Sequence, residues 1–240
     1  TIRLLDLSIN DILPREEENP MLGNRGCRLE LAMPKIAEVQ TEAVIEAALE
    51  VRREIEADII PEILIPMIST TEELHMIKTV VKAAAESCIK ASGEELEYLI
   101  GTMVETPRAA LTADKIARES DFFSFGTNDL TQMVYGLSRE DTGMIIDTYV
   151  EKGVLQENPF RTLDLDGVGR LMELAAAAGK RAHPRLKLGI CGEQASDPRS
   201  IEFCQKIGMN YLSCAPVKVP TTKLAAAQAA VKAAGNEEER

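Results

Sequence analysis

Short apolar runs alternate with amphipathic stretches along almost the whole chain, and this alternation restricts the fold more than any single motif does. Strand-like runs begin at residues 1, 62, 98, 121, 187 and 211. The stretches between them read as helices: Pro34 to Ile55, where Ile36, Val39, Ala43, Ala47 and Val51 share a face, and one to about Ala91 opened by a capping-box tetrad, Ser69 to Glu72. Others run from Pro107 to about Glu119, Val168 to Arg181, Pro198 to Ile207 and Thr221 to about Ala234. The tail from Gly235 is expected to fray, and a polar excursion spans Ser138 to Leu165. Continuously apolar strands, each followed by a helix, belong in a parallel sheet covered by helices. The segment Met21 to Leu29 reads as a seventh strand. A doubly wound open sheet fits the same pattern, but no glycine-rich fingerprint opens the first βα unit. The 240 residues suit one barrel domain or two small ones. The expected fold is therefore α/β, a (β/α)8 TIM-type barrel with one strand unaccounted for.

Composition narrows the function. With 27 Lys and Arg against 39 Asp and Glu, the net charge is -12, which argues against nucleic acid as a partner. No apolar run reaches membrane-spanning length, and no basic stretch followed by an apolar one opens the chain, so neither a membrane partner nor a signal peptide is expected. Five cysteines in no paired spacing suit a reducing compartment, the cytoplasm.

In a βα barrel the chemistry sits where strands run into the following loops. The strand at Tyr98 ends at Glu105, the strand at Asp121 runs into Asn128 and Asp129, and the strand at Lys187 ends at Cys191 and Glu193. Glu105 and Asp129 could share a hard cation such as magnesium, or could equally be acids placed at helix starts by the dipole. Gly126 and Thr127 offer backbone N–H groups to a carboxylate. Arg3 lies within an apolar strand, where burial would demand an anion. Arg25 and Arg28 either bind an oxyanion or pair with the run Arg15 to Glu18. Cys191, between Gly189 and Gly192, could carry a proton. Cys88, Cys204 and Cys214 read as buried and inert, Cys27 as uncertain, and His75 and His183 as structural.

Three segments in order, Gly101-Thr-Met-Val-Glu105, Ser124-Phe-Gly-Thr-Asn-Asp-Leu-Thr-Gln132 and Gly189-Ile-Cys-Gly-Glu193, resemble the C-terminal barrel of the phosphoenolpyruvate-utilising enzymes. Three more, Gly23 to Leu29, Gly153 to Phe160 and Phe203 to Cys214, resemble the dikinase branch of that family. The resemblance covers essentially all 240 residues. It implies one domain, 1–240, that binds phosphoenolpyruvate or pyruvate. It also implies magnesium on Glu105 and Asp129, and the substrate carboxylate at Gly126, Thr127 and Asn128. Arg3 and Arg25 would hold the transferring phosphoryl group. Cys191 would exchange a proton with C3 of the enolate, as a thiol of low pKa. The overall reaction implied is ATP + pyruvate + phosphate = AMP + phosphoenolpyruvate + diphosphate.

The sequence also departs from the family pattern. A Gly-Leu-x-Arg-Thr-Glu strand, the first of the family's barrel, has no counterpart ahead of Thr1, so the barrel is expected to lack its first strand. The loop from Asp6 to Met21 is short for a dikinase. No phosphocarrier histidine or ATP-grasp segment is present, so the chain reads as part of a larger multidomain enzyme. Its partners would then be a phosphohistidine domain and, as a homodimer, a second copy. Two alternatives stand beside this: a catalytically silent barrel used for dimerisation, and the equivalent domain of phosphoenolpyruvate synthase.

Overall fold

The computed structural model describes residues 1–12, 17, 19–55 and 57–238. Its strands are β1 (Ile2–Arg3), β2 (Glu62–Ile65), β3 (Leu99–Val104), β4 (Phe122–Gly126), β5 (Lys187–Cys191) and β6 (Tyr211–Ser213). The first helices are α1 (Ile9–Ile12), α2 (Cys27–Ala32), α3 (Lys35–Ile55) and α4 (Thr71–Ser92). They are followed by α5 (Pro107–Leu111), α6 (Ala113–Ile116), α7 (Thr127–Tyr135) and α8 (Gly143–Glu151). The last are α9 (Arg170–Ala182), α10 (Pro198–Lys206) and α11 (Val219–Glu238).

All five strand pairings are parallel and the sheet order is β1-β2-β3-β4-β5-β6. A doubly wound sheet reverses its winding at a switch point; this one never does. It is a half-barrel, part of a TIM-type barrel, with β1 and β6 as its edges among the described residues. Ile63, Ile65, Ile100, Val104, Phe123, Phe125, Leu188 and Ile190 point outward into the main core beneath the helices. The alternate positions point inward, where Leu64, Met103 and Phe122 form a second, smaller cluster with Leu99, Cys191 and Tyr211. This alternation sends polar residues of the upper strands into the half-barrel's cleft.

The expected seventh strand is absent. Met21–Gly26 is a turn, and Cys27, Leu29 and Glu30 are the buried face of α2, a helical spacing. The capping box stands one residue later than the tetrad suggests: Thr70 Oγ1 accepts from the Glu73 N–H at 3.0 Å, and the Glu73 carboxylate accepts from the Thr70 N–H at 2.7 Å. The helix expected from Pro107 to Glu119 breaks at Thr112, whose hydroxyl bonds back to the Arg108 carbonyl at 2.9 Å. The excursion from Ser138 holds α8, and a single π turn capped by the Asp164 carboxylate precedes α9. Through residue 238, the segment expected to fray continues α11. Arg15, Glu16 and Glu18, offered as ion-pair partners, lie outside the described residues. Arg28 donates instead to the carbonyls of Leu22 and Gly23, at 2.8 and 2.9 Å.

Candidate functional site

A cleft of about 430 Å³ opens on the inner face at the C-terminal ends of the strands. It is lined by Arg3 from β1, Glu105 after β3, Ser124 and Gly126 from β4, Asn128 and Asp129 from α7, and Cys191 from β5. The register accounts for the gathering. Met103 pairs with Ser124 and Gly126 with Cys191, so strand ends distant in sequence meet on one rim.

Glu105 is fully buried. Its Oε1 accepts from the Met67 N–H at 2.6 Å, while Oε2 has no partner among the described residues. Burial, then the charges of Asp129 and Asp6, push its pKa well up, against the pull of the Met67 N–H and Arg25. A Cβ at Gly126 would lie 2.5 Å from Glu105 Oε2, so the bare backbone there leaves this oxygen its space. Asp129 starts α7 and accepts from Arg25 on both oxygens, at 3.1 and 2.9 Å, which leaves further lone pairs on a carboxylate that has about four. Among the described residues no three His, Cys, Asp or Glu side chains gather as a metal cage. The donor set is thus two carboxylates, one with an orphaned buried oxygen, and it fits a magnesium ion that takes its other ligands from water and substrate.

Arg25 is brought to this site, but it does not line the cleft. It is 3% exposed, and its guanidinium spans Asp6 (2.9 and 3.1 Å) and Asp129. These partners hold it protonated against the burial that opposes its charge. Arg3, expected to be buried, is exposed: its strand is an edge whose inner side opens on the cleft. Its anion is Asp6, 3.1 Å away. Asp6 therefore ties both arginines to the site. The run Thr1 to Asp6 that reads as a strand ends on this residue, but β1 stops three residues before it.

Thr127 contributes backbone only. Its hydroxyl is buried between the Cys191 carbonyl, 2.9 Å, and Gln194 Oε1, 2.8 Å. Gln194 also donates to the Pro159 carbonyl at 2.8 Å, so it ties α7, through Thr127, to the segment around Pro159. Asn128 Oδ1 accepts from the Glu193 N–H at 3.2 Å, and the first N–H groups of α7 point out of the helix at this rim. Gly192 sits at φ +124, and a Cβ there would come within 2.3 Å of Thr127 Oγ1.

Cys191 is half-buried. Its thiol is pushed up to about 11 by burial first; the Ser124 hydroxyl and Arg3 pull it down, and Glu105 and Asp129 add to the rise. A low-pKa thiol is the expectation beside magnesium; without the metal, burial outweighs the pull of Ser124 and Arg3. The nearby Tyr211 hydroxyl donates to the Phe123 carbonyl at 3.4 Å, and its phenol is raised chiefly by burial. Ser124 and Tyr211 were not distinguishable as site residues by spacing, since only the inward face of the sheet joins them to Cys191. His75 and His183 stand away from the cleft, His75 beside Glu119 and His183 on the Ser120 carbonyl. All five cysteines are free, and Cys27 is buried with its thiol donating to the Met67 carbonyl at 3.2 Å. No described helix is long and apolar enough to cross a membrane.

A family model described as the PEP-binding domain of PEP-utilising enzymes matches residues 1–231. A pyruvate, phosphate dikinase of Clostridium symbiosum is 48% identical over 257 residues, covering 96% of this chain and 29% of the relative. That of Rhizobium meliloti (strain 1021) is 45% identical with the same coverage. Pyruvate, phosphate dikinase 1, chloroplastic, of Arabidopsis thaliana is 43% identical over 259 residues, covering 96% of this chain and 27% of the relative. The chain spans less than a third of the length of these relatives. Among solved structures, a citrate lyase of Burkholderia xenovorans LB400 superposes with a TM-score of 0.44 at 16% identity, over 69% of this chain and 48% of that one.

Proposed function

Because the chain belongs to the PEP-utilising enzymes, as their PEP-binding domain, we propose that its cleft is the pyruvate half-site of a dikinase. It would exchange a phosphoryl group between phosphoenolpyruvate and a phosphohistidine on another domain, within the reaction ATP + pyruvate + phosphate = AMP + phosphoenolpyruvate + diphosphate. The observation that carries this reading is the convergence, around one cleft, of the Cys191 thiol, an orphaned carboxylate oxygen and the start of a helix.

Each residue has a task. Asn128 and the backbone N–H groups that open α7 receive the substrate carboxylate. Arg3 neutralises phosphoryl oxygens as the P–O bond to C2 breaks and a P–N bond to histidine forms. Arg25 keeps Asp129 and Asp6 in place and lends its charge to the same region. Bound by Glu105 and Asp129, magnesium supplies positive charge where an oxygen turns negative. Cys191 delivers its proton to C3 once the phosphoryl group has left, which a thiol with a pKa near 11 is equipped to do at neutral pH. In the reverse direction the same sulfur must first be deprotonated. Free thiols throughout suit a cytoplasmic setting.

Calorimetric titration with oxalate, a two-carboxylate mimic of the enolate, tests the site. Binding should require magnesium and weaken at least about tenfold, near 1.4 kcal/mol, in Glu105→Gln. Equal binding with and without the metal, or an unaffected variant, would count against the assignment.

A further inference from the structure

A phosphate monoester carries close to two negative charges at neutral pH. Of the carboxylates lining the cleft, Asp129 is paired with Arg25 and Glu193 with Arg139 at 3.5 Å, Glu105 has no cationic partner among the described residues, and the chain's net charge is -12. Cations must offset this. The buried Arg25 is committed to Asp6 and Asp129 and stands behind the lining. Arg3 reaches the cleft but shares its charge with Asp6. The remaining basic side chain on the lining is Lys218. The lysines that form ion pairs among the described residues are others.

The placement of Lys218 is fixed by its backbone. It ends the 3-10 turn Pro216–Lys218 that joins β6 to α11. The turn is closed by the Lys218 N–H on the Ala215 carbonyl at 2.8 Å and by Thr221 Oγ1 on the Lys218 carbonyl at 2.9 Å. Pro216 and Pro220 restrict φ on either side. β6 pairs with β5 so that Ser213 stands beside Cys191. Lys218 therefore rises from one edge of the half-barrel and Arg3 from the other, with Glu105 and Cys191 between them.

We propose that Lys218 is a phosphoryl-binding residue of this cleft, its ammonium taking the transferring group from the side opposite Arg3. This rests on the half-site reading and adds to it a cation that no strand-end motif marks. A lysine suits the task, since its single charge on a flexible stem can follow the group from C2 oxygen to histidine nitrogen without a fixed two-point geometry.

The test separates the phosphoryl group from the rest of the substrate. The whole chain, with magnesium, is titrated with phosphoenolpyruvate and with oxalate, which has no phosphoryl group, in the native form, Lys218→Gln and Lys218→Arg. Lys218→Gln should weaken phosphoenolpyruvate about tenfold and leave oxalate within about twofold, while Lys218→Arg restores most of the loss. Native binding of phosphoenolpyruvate should also fall more steeply with salt than that of Lys218→Gln. If Lys218→Gln binds phosphoenolpyruvate like the native chain, or loses both ligands equally, the role of Lys218 is overturned while the half-site reading stands. If the native chain binds neither ligand, both fall together.

Discussion

Glu30 shows how far a single residue can depart from what its type suggests. It faces inward from α2, is 0% exposed, and neither carboxyl oxygen has a partner among the described residues. Burial, then the charge of Asp6, pushes its pKa up to about 8. The folded protein thus holds this proton more tightly than the unfolded chain, where a glutamate titrates near 4.3. Stability is complete below the unfolded value and is lost as pH rises through 8, by roughly 5 kcal/mol in all. Glu30→Gln should remove that loss: urea unfolding at pH 8.5 should show the variant more stable than the native chain, and at pH 5 the two within about 1 kcal/mol. Parallel pH profiles would refute the assignment. Such a residue cannot be found by pattern, because the segment up to Leu29 reads as a strand and an acid just beyond it carries no sign of burial. Glu105, Asn128, Asp129 and Cys191 were legible because apolar runs fix where strands end. Ser124, Tyr211 and Gln194 were not, since only cross-strand register and loop return bring them to the site. The burial of Arg25 depends on two aspartates 19 and 104 residues away.

Among the elements, the turn leading into α2 does most to shape the site. Gly26 sits at φ +56, and a Cβ there would approach Met67 Cβ at 2.8 Å and Asp6 Oδ1 at 3.1 Å. Met67 itself has φ +60, held by the Glu105 carboxylate on its N–H and the Cys27 thiol on its carbonyl. The turn, the end of β2 and the end of β3 are thus locked together behind Glu105. Gly26→Ala should cost about 1–3 kcal/mol in urea unfolding and weaken oxalate binding, since Asp6 is displaced; unchanged stability would show that the turn has slack. The apolar residues of Met21 to Leu29 suggest a strand because the positive φ at Gly26 is invisible in the sequence. The long helices α3 and α4 were legible nearly to their ends, but the face of α3 was not: Val39 and Val51 are exposed, and Ala37, Thr41, Ile45, Ala48 and Leu49 are buried instead. The break at Thr112 was not legible, and its hydroxyl bond does not account for it, since Thr41 and Thr79 make the same bond within unbroken helices.

At the scale of the whole molecule, sequential strand order explains why one rim carries the chemistry. Every strand points the same way, so every following loop opens on the same side, and the inner face of a half-barrel gathers those ends into a concave wall. The parallel βα architecture was legible from the alternation alone; the openness of the sheet depends on which segments become strands. The wall's chemistry converges on a proton at Cys191, and the exchange of pyruvate methyl protons in deuterated buffer with magnesium tests this most directly. By NMR, the native chain should exchange the methyl group, faster as pH rises from 7 toward 10 because the sulfur must lose its proton first, and Cys191→Ser should lower the rate at least about a hundredfold. A native rate no greater than that of magnesium alone, or an equal rate in Cys191→Ser, would contradict the assignment of this cleft.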